Sequence, residues 1–132
     1  MKTNLDSLFK TNKNLEKDGI WFSISDDTKF LIRRFGGANS QNVKQAMAKY
    51  YKPFSRQVQS GTLSAEKEKE ILVRAFVDSS LVDWKGVEID GEEVEFSKDK
   101  AIELFLELED LFEALYAYAS SNESFREDLG NS

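Results

Sequence analysis

The stretch that decides the fold is residues 101–119, AIELFLELEDLFEALYAYA. Placed at 100° per residue, its apolar side chains cover roughly 240° of the circumference of a helix. A surface helix needs an apolar arc of only about 100° or somewhat more to face its core. The stretch therefore predicts one continuous helix from Lys98 to about Ser120 that has more apolar surface than one core contact requires.

This surplus of apolar surface has two interpretations. In the first, the other helices of the domain bury the helix on several sides. In the second, part of the arc is an exposed patch that binds a partner or a second copy of the chain. The candidate partner-binding residues on such a patch are Phe112, Tyr116 and Tyr118.

The segments before this helix predict a small β-structure followed by helices. Residues 20–24 and 29–35 are rich in β-branched and aromatic residues and flank a polar turn, which is typical of a β-hairpin. Apolar residues at helical spacing follow in residues 39–59, with a restart at Pro53, and in residues 65–81. Ser64 and Ser97 are expected helix N-caps. Asp90-Gly91 predicts a tight turn in a short acidic hairpin or loop.

These elements fit one α+β domain that is predominantly helical and carries an N-terminal β-hairpin. A chain of 132 residues has the usual size of a single domain, and it has one proline and no linker-like segment. We divide it into an N-terminal arm (residues 1–19), a central domain (residues 20–120) and a C-terminal tail or short helix (residues 121–132). Trp84, between an apolar helix and a glycine turn, is expected to seal the edge of the core.

The composition argues against catalysis. The chain has no cysteine and no histidine, so it lacks a thiolate, an imidazole base and the usual zinc ligands. Its dense carboxylate groups lie at residues 92–95 and 107–113, where adjacent acids are more typical of a solvated face than of a catalytic pair. We expect no enzyme activity, catalytic residue, cofactor or metal site, with an enzyme that uses an acidic pair as the weakest alternative. Because no apolar run approaches the length of a membrane span, we also expect no membrane partner.

The charge of the chain is divided sharply. Residues 1–82 carry 14 Lys/Arg and 9 Asp/Glu, a net charge of +5, whereas residues 83–132 carry 4 Lys/Arg and 15 Asp/Glu, a net charge of −11. Residues 29–56 hold seven basic residues and no acidic one, and we select Arg33, Arg34, Lys49 and Lys52 as further candidate partner-binding residues. The division predicts an acidic protein partner or self-association.

The main alternative function is a small nucleic-acid-binding regulator that uses the basic face of residues 29–56, whose aromatic residues could stack on bases. The overall isoelectric point of about 4.8 argues against it, because nucleic-acid-binding domains are typically basic. We therefore expect no nucleic-acid partner.

Several short motifs in one order resemble the tail assembly chaperones of long-tailed bacteriophages and prophages. They are residues 15–21 (LEKDGIW), 33–39 (RRFGGAN), 52–57 (KPFSRQ), 61–63 (GTL), 82–87 (VDWKGV), 96–98 (FSK), 110–112 (DLF) and 125–126 (FR). Similar sequences often have proline where this chain has Glu109, and the glutamate is expected to lengthen an unbroken helix.

The resemblance implies a non-virion protein of the host bacterial cytoplasm. Such a chaperone keeps the tape measure protein soluble and helps the tail tube protein polymerise around it. The resemblance also implies that a ribosomal frameshift near the end of the gene appends a second domain to a minor fraction of the molecules. A soluble acidic protein with spare apolar surface suits this role, because a tape measure protein is long, helical and prone to aggregate.

Overall fold

One long helix, α5, forms the centre of the core in the computed structural model, which describes residues 2–126. The helices are α1 (Leu5–Phe9), α2 (Lys13–Asp18), α3 (Ser40–Tyr51), α4 (Ser55–Ser60), α5 (Ala65–Ser79), α6 (Lys98–Glu107) and α7 (Glu109–Ser120). The strands are β1 (Ile20–Ser23), β2 (Lys29–Ile32), β3 (Leu81–Lys85), β4 (Glu88–Ile89) and β5 (Glu92–Glu93). Phe76 in α5 is fully buried and contacts the rings of Phe35, Phe105 and Phe112. The predicted α+β domain, mostly helical, is confirmed.

The predicted hairpin is confirmed as β1 and β2, and it belongs to a larger sheet than expected. The two strands pair antiparallel, with Ile20 opposite Ile32 and Ser23 opposite Lys29. Strand β3 adds to the free edge of β2 and completes a three-stranded antiparallel sheet. The pairing of β3 joins residues about fifty positions apart, so local turn signals did not indicate it.

Local signals placed most helix starts and turns correctly. The hydroxyl of Ser64 accepts from Lys67 N at 3.1 Å, and that of Ser97 accepts from Lys100 N at 3.1 Å, so both predicted N-caps are confirmed. Asp90 and Gly91 both have positive φ, 55° and 81°, which suits the tight turn between β4 and β5. Pro53 lies in a short 3₁₀ turn, Lys52–Phe54, that separates α3 from α4.

The prediction of one continuous helix from Lys98 to Ser120 is wrong. Leu108 has φ −104° and ψ 79°, which is outside the helical region, and it separates α6 from α7. Two features favour the break. Glu109 and Asp110 begin α7, where carboxylates interact well with the helix dipole. Glu109 also pairs with Lys69 of α5 at 2.5 Å. The break has a consequence for Leu108, which a continuous helix would place within 60° of the buried Phe105 and which is instead 48% exposed.

The N-terminal arm is only partly loose, because its second helix is anchored in the domain. Glu16 of α2 is buried and forms a salt bridge with Arg34, while its other carboxylate oxygen accepts from Ala38 N at 3.3 Å. Gly37 makes this approach possible, since a Cβ there would lie 2.2 Å from the Glu16 carboxylate. The predicted boundary at residue 19 therefore does not separate the arm from the core.

A buried asparagine fixes the segment that follows the sheet. Asn39 donates from its side-chain amide to the carbonyl oxygens of Arg34 and Ser79, both at 2.9 Å. These bonds join the turn after β2 to the last residue of α5. Asn39 directly precedes α3, and its side chain makes no capping hydrogen bond to that helix.

The segment predicted as a C-terminal tail or short helix contributes to the core as far as it is described. Residues Asn122–Phe125 form a 3₁₀ turn, and Phe125 is fully buried against Tyr118. Residues 127–132 lie outside the described part of the chain.

Glu16→Ala is expected to lower the free energy of unfolding by about 3–5 kcal/mol, because it leaves the largely buried Arg34 guanidinium without its partner. Chemical denaturation monitored by circular dichroism measures the change. The control is Glu70→Ala, which removes the partner of Lys67 on the surface of α5 and should cost less than about 1 kcal/mol. Equal losses for the two variants would contradict the structural importance of the Glu16–Arg34 pair.

Trp84→Ala is expected to cost about 3–5 kcal/mol, because the indole is buried against Phe30 and Phe96. Trp84→Phe keeps most of the buried area and loses the bond from the indole N–H to the Val94 carbonyl, so it should cost about 1 kcal/mol. Thermal unfolding of both variants separates packing from hydrogen bonding, and a loss below about 1 kcal/mol for the alanine variant would show that the ring is not a core element.

Candidate functional site

The aromatic patch predicted on the last helix does not form as an exposed surface. Phe112 is only 3% exposed and belongs to the core. Tyr116 lies 5.3 Å from Phe35 between ring centroids, and Tyr118 stacks on Phe22 at 4.1 Å. Because all three residues pack inward against the sheet or α5, they fit the first interpretation, in which the helix is buried on several sides.

The four predicted basic residues lie in different environments. Arg34 is held by Glu16, and Arg33 is half-buried at the end of β2, where its backbone N–H donates to the Ser80 carbonyl at 2.7 Å. Lys49 and Lys52 are exposed near the end of α3. These positions leave the two lysines as the accessible cations of this set, while Arg34 has a structural partner.

Asp78 lies at the end of α5, and its carboxylate connects α5 to α3 and α6. It accepts from the Tyr50 hydroxyl at 2.5 Å and pairs with Lys49 at 3.3 Å and Lys98 at 3.4 Å. Burial acts to raise the pKa of Asp78, but the Tyr50 hydroxyl and the two ammonium groups outweigh it and hold the pKa below its usual range. Sequence reasoning did not select Asp78, because its partners lie 20 to 29 residues away in the chain.

An apolar groove opens where α6 breaks into α7. It has a volume of about 570 Å³ and lies between the tip of the β1–β2 hairpin, the turn after β3 and the two helices. Its apolar lining residues are Ile24, Phe30, Val87, Leu104, Leu108 and Leu111. Phe30, Val87 and Leu104 are buried and form its floor, whereas Ile24 and Leu108 are exposed at its sides. We call this feature the acidic groove, because its charged lining residues are all acidic.

The rim of the groove carries only negative charge. Asp27, Glu88 and Glu93 line it, and no lysine or arginine does. A shallower surface beside Leu108 and Leu111 continues the groove and adds Glu107, Glu109 and Asp110 to the same side of the molecule. An apolar floor with an acidic border is suited to the apolar face of a helix whose flanks carry lysine or arginine.

Two close contacts fix the wall of the groove. The Thr28 hydroxyl donates to the Gly86 carbonyl at 2.7 Å and thus ties the hairpin tip to the turn after β3. Gly86 has φ +67°, and a Cβ there would lie 1.9 Å from the Asp27 carbonyl oxygen. Position 86 therefore requires glycine for the two turns to meet, and the groove wall is formed before any ligand binds.

Sequence reasoning did not find the acidic groove. Ile24 comes from a run that predicted a strand, and Leu108 from the run that predicted one continuous helix; both side chains are exposed. The available signal was the surplus apolar arc of residues 101–119, of which Leu104, Leu108 and Leu111 line the groove. The residues selected from that arc were instead Phe112, Tyr116 and Tyr118.

The described residues show no arrangement suited to metal binding or to a membrane span. Within residues 2–126 there is no group of three or more side chains placed to hold a metal ion. In the same range no helix combines the length and the apolar character needed to cross a bilayer.

Comparison with known families gives the class of the protein. A family profile described as YdaY prophage protein matches residues 38–130, which is more than two thirds of the chain. The chain belongs to this family of prophage proteins. No curated protein and no solved structure matches it. The match covers α3 to α7 and therefore includes the helices that form one side of the acidic groove.

Asp78→Asn is expected to lower stability by about 1–2 kcal/mol at neutral pH, because the charge facing Lys49 and Lys98 is lost. The lowered pKa of Asp78 means that its contribution is fully present above the ordinary carboxyl pKa of about 3.9 and is lost as the pH falls through the folded-state value. Urea unfolding at pH 7 and at pH 3 measures the difference, which should shrink at the lower pH. Glu103→Gln, an exposed change on α6, is the control and should stay within about 0.5 kcal/mol. A pH-independent loss for Asp78→Asn would contradict the ionic role.

Proposed function

We propose that this protein is a tail assembly chaperone of a long-tailed phage or prophage, which acts by binding proteins and without catalysis. Its partners are the tape measure protein, which it keeps soluble, and the tail tube protein, whose polymerisation it assists. It works in the host bacterial cytoplasm and is absent from the mature virion. The acidic groove is the observation that carries this proposal.

The shape of the groove supports a helical ligand. The exposed Leu108 and Ile24 line the groove together with the buried Phe30 and Val87, so the groove offers an apolar surface to one face of a helix. Helices that bind in this way present anchors at positions i, i+3, i+4 and i+7. A tape measure protein is long and helical, and its unassembled apolar faces are a suitable ligand.

The charge of the groove supports reversible capture. The acidic rim attracts lysine and arginine beside the apolar anchors and repels acidic segments, which gives selectivity as well as a fast encounter. Rim charges are exposed and therefore screened by salt, so they contribute more to selection than to tight binding. A selective interface of modest affinity suits a chaperone that must release its client to the growing tube.

The alternative function, a nucleic-acid-binding regulator, receives less support. Arg34 is occupied by Glu16, and Lys49 is paired with Asp78, so two of the four selected cations already have carboxylate partners. The net charge of −6 also opposes binding to a phosphate backbone. We therefore keep protein binding as the proposed activity.

Leu108→Glu is expected to abolish capture of the tape measure protein, because it places a charge on the wall of the acidic groove. The test is co-expression with the tape measure protein of the same prophage, followed by measurement of its soluble, co-purified fraction. Val58→Glu is the matched control, since Val58 is 47% exposed on α4 and lies outside the groove. The control should retain capture.

Two results would count against the proposal. If Leu108→Glu is folded by circular dichroism and still captures as well as Val58→Glu, the groove is not the binding site. If the wild-type protein leaves the tape measure protein insoluble, the chaperone function itself is wrong.

A further inference from the structure

The N-terminal helix presents apolar side chains that remain exposed in the described chain. Leu5, Leu8 and Phe9 are 63%, 38% and 64% exposed, and no residue of α1 is buried. Their spacing of i, i+3 and i+4 places them on one face of the helix. This is the arrangement of anchors with which a short helix enters an apolar groove.

The segment that follows α1 is held against the last described residues of the chain. Asn12 N donates to the Phe125 carbonyl at 2.8 Å, and Thr11 forms a bridge with Arg126. Helix α7, which begins beside Leu111 of the groove and ends just before this attachment, has twelve residues and is therefore about 18 Å long.

The arm does not fill the groove of its own molecule. The side-chain amide of Asn122 donates to the Leu8 carbonyl at 3.3 Å, and Asn12 is paired with Phe125. Leu5, Leu8 and Phe9 do not line the groove, and their side chains stay exposed. The groove of another molecule is a surface on which they can be buried.

The charges of the arm and of the groove are complementary. Residues 2–13 carry three lysines and one aspartate, a net charge of +2. The acidic groove is lined by Asp27, Glu88 and Glu93 and has no basic lining residue. The lysines flank the apolar anchors on both sides in the sequence, as the rim flanks the apolar floor in the structure.

We propose that α1 of one copy of this chain docks in the acidic groove of a second copy, with Leu5, Leu8 and Phe9 as the anchors. The two contact surfaces differ and each molecule carries both, so the contact is heterologous and continues head to tail. The contact involves few side chains, and the association is therefore weak and depends on concentration. This inference rests on the geometry of the groove and does not require the proposed chaperone function.

Docking of a second copy would also control the access of other ligands to the groove. A free protein at high concentration would cover its apolar grooves with its own arms, and a client helix would compete for the same surface. Phe9→Glu removes the arm contact and leaves the groove intact, so it should capture the tape measure protein at least as well as the wild type does.

The test is sedimentation velocity of the full-length pure protein over a wide range of concentrations, at low and at high salt. The wild type should form species larger than a dimer as concentration rises, and these should weaken at high salt. Phe9→Glu and Leu108→Glu should each be monomeric, whereas Val58→Glu should behave like the wild type. Circular dichroism establishes that the variants are folded, and Leu5→Ser is a second arm variant of milder character.

Mixing the two defective variants makes the test specific. The Leu108→Glu copy keeps an intact arm and the Phe9→Glu copy keeps an intact groove, so an equimolar mixture should form a one-to-one dimer and nothing larger. A wild-type protein that stays monomeric at every concentration overturns the inference, as does a mixture that stays monomeric. Loss of tape measure capture with self-association intact would overturn the proposed function and leave this inference standing.

Discussion

The buried salt bridge between Glu16 and Arg34 is the interaction on which the rest of the structure depends. It fastens α2 to the turn after β2, and that turn is joined through Asn39 to the end of α5. A buried charge is costly without its partner, so the two residues require each other and define where the N-terminal segment lies. The motif RRFGGAN at residues 33–39 is therefore structural in this chain: its arginine supplies the pair, its second glycine gives the carboxylate room, and its asparagine connects the sheet to the central helix.

Features with a local cause were predictable from the sequence, and features with a distant cause were not. The hairpin, the Ser64 and Ser97 caps and the Asp90-Gly91 turn follow from residues that are neighbours in the chain. The Glu16–Arg34 pair and the addition of β3 to the sheet join residues far apart in the chain, and a single sequence gives no sign of either. No glycine or proline in the sequence indicates the break at Leu108. Because the break was not predicted, the acidic groove that forms beside it was not predicted either.

The basic and acidic parts of the sequence also form separate charged surfaces in the folded molecule, and the periodicity of the sequence did not predict where these surfaces lie. The acidic second half of the chain supplies most of the rim of the groove, and the lysines of the arm lie near the other end of α7. Of the basic residues of positions 29–56, Arg34 and Lys49 pair with carboxylates of the domain. The charge of the arm is opposite to that of the groove, and both surfaces keep exposed apolar side chains.

The position of the break beside Leu108 gives a reason why position 109 can tolerate very different residues. Glu109 is the first residue of α7, where a backbone N–H has no acceptor within the helix, and a proline there would remove nothing that the helix uses. Leu108 has φ −104° and ψ 79°, outside the helical region that the residue before a proline avoids. Exchange of glutamate for proline at this position would remove the ion pair with Lys69 and reduce the conformational entropy of the unfolded chain, two effects of opposite sign on stability. Related proteins could thus adjust their stability at the edge of the groove without altering the surface that binds.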